Sequence, residues 1–199
     1  MKKEKNSYHH GNLAESLLDA VDEIATQFGL EAVTLRACAK LVGVSPSSAF
    51  RHYADKRALL TAFATRALQQ LTGALEAAKA TADQTGADAF QAVSLAYIQF
   101  ALKKPAFFRA MWREETIYSS DESYVLATNQ LRQQLQGGFA DTITDHDPKS
   151  LSAQELLVWS AVHGLDNLFV DGPVGKGETE SKKLAVAKEM ILALQPALH

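Results

Sequence analysis

Apolar residues recur along the chain at three- and four-residue steps, the period of amphipathic helices rather than the alternation of a strand. Leu13, Leu17, Val21, Ile24 and Phe28 trace one such face, with Asn12 and Glu15 set as a capping pair before it and Gly29 behind it. Thr34 caps a second, short helix that carries Leu35, Cys38, Ala39 and Val42 inward and stops at Gly43. A third begins at Ser45 with Pro46 in its first turn, where a missing N–H is harmless. Asp55 caps a long fourth helix through Leu59, Phe63, Leu71 and Leu75, expected to end near Lys79. Polar breaks at "TADQTGAD", "KKP", "TDHDPKS" and "DGPVGKGETE" then leave helices over 87–103, 105–116, 121–143, 152–170 and 180–194. The prediction is an all-α chain of about nine helices.

Composition narrows the class. With 199 residues and 47% hydrophobic content, the chain can build a sizeable core. It carries 20 Lys and Arg against 23 Asp and Glu, a net charge of −3, so any anion site has to be local. Residues 1–60 hold a net +1 and the rest −4, which puts the basic character at the front. Cys38, the only cysteine, excludes an intramolecular disulfide and a cysteine-based zinc site. His9 and His10 have no further ligands at helical spacing nearby, so no metal or cofactor is expected. The N-terminal lysines precede no apolar stretch, and "AVSLAYIQFAL" is too short to span a bilayer. The expectation is a cytoplasmic protein without a membrane partner.

The stretch "VGVSPSSAFRHYADK" concentrates phosphate-binding chemistry. Two short helices around a glycine turn have the proportions of a helix-turn-helix, whose second helix enters the major groove. Ser47 and Ser48 place hydroxyls and small side chains at that helix's start, and Arg51 reaches a guanine edge or a phosphate. His52, Tyr53 and Lys56 are placed for the flanking backbone, with Arg36 on the preceding helix. The same spacing also fits an ordinary capped turn in a bundle. An enzyme reading through Ser48, His52 and Asp55 lacks any strand-turn-helix elbow to present a nucleophile. The lysines of Met1–Asn6 fit either an arm along the phosphates or a solvated tail.

Residues 12–60 resemble the DNA-binding domain of TetR-type transcriptional regulators, through "TLRACAKLVGVSPSSAFRHYADKRALL". "YHHGNL" and "WSAVHGL" resemble a subgroup with a Trp-His-Gly signature in its C-terminal domain. The resemblance implies that Thr34 and Ser45 cap helices and approach phosphates, that His52 and Lys56 grip the backbone, and that Ser47, Ser48, Phe50 and Arg51 face the groove. Phe50 stands where many relatives have tyrosine. The resemblance further implies a DNA-binding domain over 1–55, a ligand-sensing and dimerisation domain over 56–199, and a homodimer.

The later helices permit both. Tyr97, Phe100, Phe108, Met111 and Trp112 are large side chains able to line an apolar cavity or simply to fill a core, with Trp159 and His163 as further ligand candidates. Arg109, Arg113 and Glu114 are polar anchors. Leu156, Ser160, Gly164 and Asn167 on one helix, with Ala187, Ile191 and Leu194 on the next, suit a four-helix interface between two copies. The expected protein is not an enzyme. It is a dimeric repressor, released from a palindromic double-stranded DNA operator by a small apolar or aromatic effector; the rival is a small-molecule-binding or adaptor protein without operator binding.

Overall fold

Each of the first four helices starts at a polar side chain that accepts the hydrogen bond its first turn cannot make internally. The computed structural model describes residues 12–139 and 151–198; the N-terminal lysines, His9 and His10 lie outside them. Asn12 accepts from Glu15 N before α1 (Leu13–Phe28), and Thr34 from Ala37 N before α2 (Leu35–Val42). Ser45 accepts from Ser48 N before α3 (Pro46–His52), and Asp55 from Ala58 N before α4 (Lys56–Thr85). Between α2 and α3, Gly43 adopts φ 81°, and its amide and that of Val44 both donate to the Ala39 carbonyl. A side chain there would be strained, so the turn between the two helices depends on glycine.

Helices α1 to α3 close around Leu17, Val21, Leu35, Cys38 and Ala49. Burial raises the Cys38 thiol to about 11. Phe28, expected on the buried face of α1, is instead 70% exposed. The chain turns at Gly29 (φ 81°), and Leu30 and Val33 fill the space beneath α1 in its place.

The larger unit is built on α5 (Ala89–Lys103), which packs against α4, α7 (Glu122–Phe139), α8 (Ala153–Val170) and α9 (Glu180–Leu194). Phe63, Phe90, Tyr97, Ile98 and Phe107 are fully buried there. α4 runs to Thr85 rather than stopping near Lys79. The polar last turns are held by a Lys79–Asp83 pair at 2.8 Å and by Thr81 and Thr85 hydroxyls on carbonyls four residues back, until Gly86 ends them. α6 (Pro105–Met111) is shorter than the predicted 105–116: the Thr116 amide and hydroxyl both donate to the Arg113 carbonyl and close a separate single turn. α7 is described through Phe139, and the predicted 140–143 fall outside the described residues.

Residues 113–118 rest on the helix-turn-helix unit. The Tyr118 hydroxyl donates to Asp55 Oδ2 at 2.7 Å, Arg57 Nε donates to the Ile117 carbonyl at 2.7 Å, and Arg113 pairs with Glu31 at 3.0 Å. The Ala58 amide and then Tyr118 hold the Asp55 carboxyl below its usual range.

Candidate nucleic-acid interface and ligand cavity

α3 turns only Ala49 fully into the core and presents the rest of its length outward. Ser47, Arg51 and His52 are exposed, as are Thr34, Arg36 and Ser45 around them, and Phe50 is 47% exposed. The Ser45 hydroxyl sits 2.8 Å from that of Ser47 and 2.9 Å from that of Ser48, and Arg51 Nη2 donates to Ser48 Oγ at 3.1 Å. The serines therefore steady the arginine one turn along the helix. Lys56 Nζ donates to the Glu31 carbonyl at 3.0 Å, which uses one of its three donors. Tyr53 departs from its expected role. Its hydroxyl turns inward to the Ala14 carbonyl at 3.3 Å and burial raises it to about 12, so it braces α3 against α1.

In the larger unit, Tyr97, Phe108, Trp112, Trp159 and His163 converge between α5, α6 and α8. The Tyr97 hydroxyl lies 3.1 Å from His163 Nδ1; the indole rings of Trp112 and Trp159 meet edge-on at 5.4 Å, and Phe108 lies 4.9 Å from the His163 ring. Both indole N–H groups favour the Tyr97 oxygen electrostatically without reaching hydrogen-bond geometry, and both are otherwise buried without a partner. The Tyr97 hydroxyl and His163 Nδ1 share one hydrogen bond, whose direction follows the tautomer of the ring. Burial lowers the His163 pKa and keeps the ring neutral.

Two spaces flank this cluster. A cavity of about 100 Å³ lies between α7 and α8, lined by Leu131, Leu135, Phe139, Trp112 and Trp159 together with Thr128, Arg132, Gln136 and Glu155, and the surface it exposes is almost wholly apolar. A groove of about 360 Å³ opens on the other side, between Phe108, Arg109, Trp112, Arg113, His163 and Asp171. Phe100 belongs to neither: it stacks on Phe107 at 6.4 Å and faces a separate groove between α4 and α5. Met111 is fully buried as core, with its carbonyl accepting from Tyr124.

Comparison with known proteins agrees with these two units. Residues 17–63 match the family described as bacterial regulatory proteins, tetR family, and residues 90–194 match the tetracyclin repressor-like C-terminal domain, which alone covers over half the chain. The chain belongs to the TetR family. A Bacillus subtilis (strain 168) protein described as an uncharacterized HTH-type transcriptional regulator, YobS, is 28% identical over 138 residues, 67% of this chain and 70% of its own. A Rhodococcus sp. RHA1 structure of unknown function shares the fold at a TM-score of 0.72 with 24% identity, over 96% of this chain and 100% of the other. The TetR regulator PfmR from Thermus thermophilus does so at 0.65 with 18% identity, over 90% and 93%. TetR-family regulators are non-enzymatic, bind DNA through the helix-turn-helix and act as dimers.

In this TetR-family chain, no helix among the described residues is long and apolar enough to cross a membrane. No group of three or more His, Cys, Asp or Glu among them is placed to hold a metal ion. The structure also separates the residues expected to pair two copies. Leu156, Ser160 and Asn167 are exposed and Gly164 half-buried on α8, but Ala187 and Ile191 are buried in the chain's own core, because α9 turns them onto α5. Leu194 is half-buried, and Val186 and Leu192 are the large exposed apolar residues of α9.

Sequence reasoning missed Asp166. It is fully buried, neither carboxylate oxygen has a hydrogen-bond partner, and burial raises its pKa to about 8. Its position on the same face as Val162 and Phe169, in helical register, was the available signal. The anchoring of Arg113 by Glu31 and of Tyr118 by Asp55 had none, since each joins residues over sixty positions apart.

Proposed function

We propose that this chain is a cytoplasmic, dimeric, ligand-responsive transcriptional repressor of the subgroup marked by Trp159, His163 and Gly164. Residues 1–55 read a palindromic operator, and residues 56–199 sense an apolar or aromatic effector and pair the subunits. The observation that carries DNA reading is the outward face of α3, where Ser47, Phe50, Arg51 and His52 stand clear of the core behind a glycine turn. Phe50 offers an apolar edge to a sugar or thymine methyl, and Arg51 a bidentate fork to guanine. The effector reading is supported by the dry cavity beside Trp112 and by the contacts that tie residues 113–118 to Asp55 and Glu31. Dimerisation is supported by the exposed α8 face around Gly164, joined by Val186 and Leu192 rather than Ala187 and Ile191.

The test is selection of DNA fragments by purified protein, followed by competition at several salt concentrations. Arg51→Ala is expected to cost about 1–3 kcal/mol and relax preference at one base pair per half-site, whereas Lys56→Ala weakens all sequences alike and lowers the salt slope by about one per subunit. Failure to select any sequence removes operator binding and favours a helical ligand-binding or adaptor protein. Effector response is read separately, as release of the selected fragment during a screen of small molecules. Operator and effector must weaken each other's binding by the same factor.

A further inference from the structure

Trp112 is the one residue that lines both the apolar cavity and the polar groove, so its ring stands between a dry compartment and a charged one. The groove side carries two guanidinium groups. Arg109 spends Nε and Nη2 on Asp171 and the Val170 carbonyl, and its Nη1 makes no hydrogen bond among the described residues. Arg113 spends Nε on Glu115 and Nη1 on Glu31, and its Nη2 likewise makes none. His163 lines the groove beside them. Asp171, the groove's one carboxylate, is already neutralised by Arg109 at 2.7 Å. Donors of positive sign thus lie next to a compartment whose exposed surface is almost wholly apolar.

We propose that the effector is a small apolar carboxylic acid, monocyclic aromatic or short aliphatic. Its hydrocarbon part lies against Trp112 toward the dry cavity, and its carboxylate lies between Arg109 and Arg113, where it displaces Glu31 as the partner of Arg113. A bidentate fork on a carboxylate is both strong and geometrically selective, which an uncharged amide cannot match. Displacing Glu31 breaks an ion pair between the sensing unit and the turn after α1, so the same anion that is recognised also loosens the DNA-reading unit. The proposal deepens the effector reading and rests on it.

The test uses the intact protein and its own fluorescence, since the chain's two tryptophans, Trp112 and Trp159, both line the cavity. Phenylacetate and octanoate are titrated beside phenylacetamide and octanamide. The acids are expected to bind about tenfold tighter than their amides, and Arg113→Gln to shrink that difference to about twofold or less. Glu31→Gln, an exposed change outside the groove, removes the competitor: it should tighten acid binding severalfold and leave amide binding unchanged. Equal affinities for acids and amides overturn the carboxylate site while the apolar effector reading stands. An unchanged acid affinity in Glu31→Gln overturns the displacement of Glu31. No binding by any of the four probes overturns the whole proposal, and the operator-release screen still decides the effector reading.

Discussion

Asp166 shows how a single side chain can be held against its own chemistry. Its carboxyl is fully buried, lacks hydrogen-bond partners and has a pKa of about 8, against an ordinary value of 3.8. The unfolded chain gives up this proton first, so the contribution of Asp166 to stability is largest below about pH 4 and is lost as pH rises toward 8. Its titratable neighbours are Tyr97, whose ionisation the Asp166 charge further opposes, and His163, whose protonation burial opposes. Asp166→Asn cannot ionise. It should therefore gain stability over the native chain as pH rises, by up to about 5 kcal/mol at pH 8, with the difference disappearing near pH 4. Urea unfolding midpoints across that range measure it, and a pH-independent difference would contradict the assignment.

Between helices, two neighbouring glycines on α7 make opposite demands. A Cβ at Gly138 would stand 2.7 Å from Cγ2 of the fully buried Val93 on α5, whereas at the exposed Gly137 it would meet nothing within 4 Å. Gly138→Ala is expected to destabilise by about 1–3 kcal/mol through overpacking. Gly137→Ala should stabilise by about 0.5–1 kcal/mol through helix propensity. Val93→Ala should recover part of the loss at Gly138 and nothing at Gly137, which a double-mutant cycle by thermal unfolding reads directly. The pair also shows what a sequence reveals. Helix starts were legible because Asn12, Thr34, Ser45, Asp55 and Ser152 act on amides three positions away. Which side of a helix meets a neighbour was less so: Phe28, Ala187 and Ile191 fit the period of their helices, yet the packing partner decided their exposure. The candidate site divided the same way. The α3 cluster is contiguous in sequence, so its shared exposure on one short helix could be expected, while Asp166, Glu31 and Tyr118 acquire meaning only from distant residues.

For the whole molecule, the proposed dimer face and the proposed effector site both fall on α8. Among the described residues nothing lies within 4 Å of a Cβ added at Gly164, so the start of a side chain is accommodated in one copy, whereas a copy paired through this face would meet it. Gly164→Leu should keep the fold and melting temperature of the single chain while shifting light scattering at micromolar concentration from dimer toward monomer. Binding to a selected palindrome should weaken with it. A native monomer, or an undisturbed dimer in the variant, would remove this face from the interface. The 30 residues of α4 have a further consequence. Asp55 fixes its start beside the helix-turn-helix unit, and its far end lies at Gly86 in the larger unit, about 45 Å away at the rise of an α-helix. A rod of that length converts a tilt of about 5° into ~4 Å at its tip, slightly more than the ~3.4 Å rise of one base pair. Two copies turning in opposite senses would double that offset. A ligand that shifts side chains by a fraction of a turn can therefore put the two halves of a reader out of step with a rigid duplex.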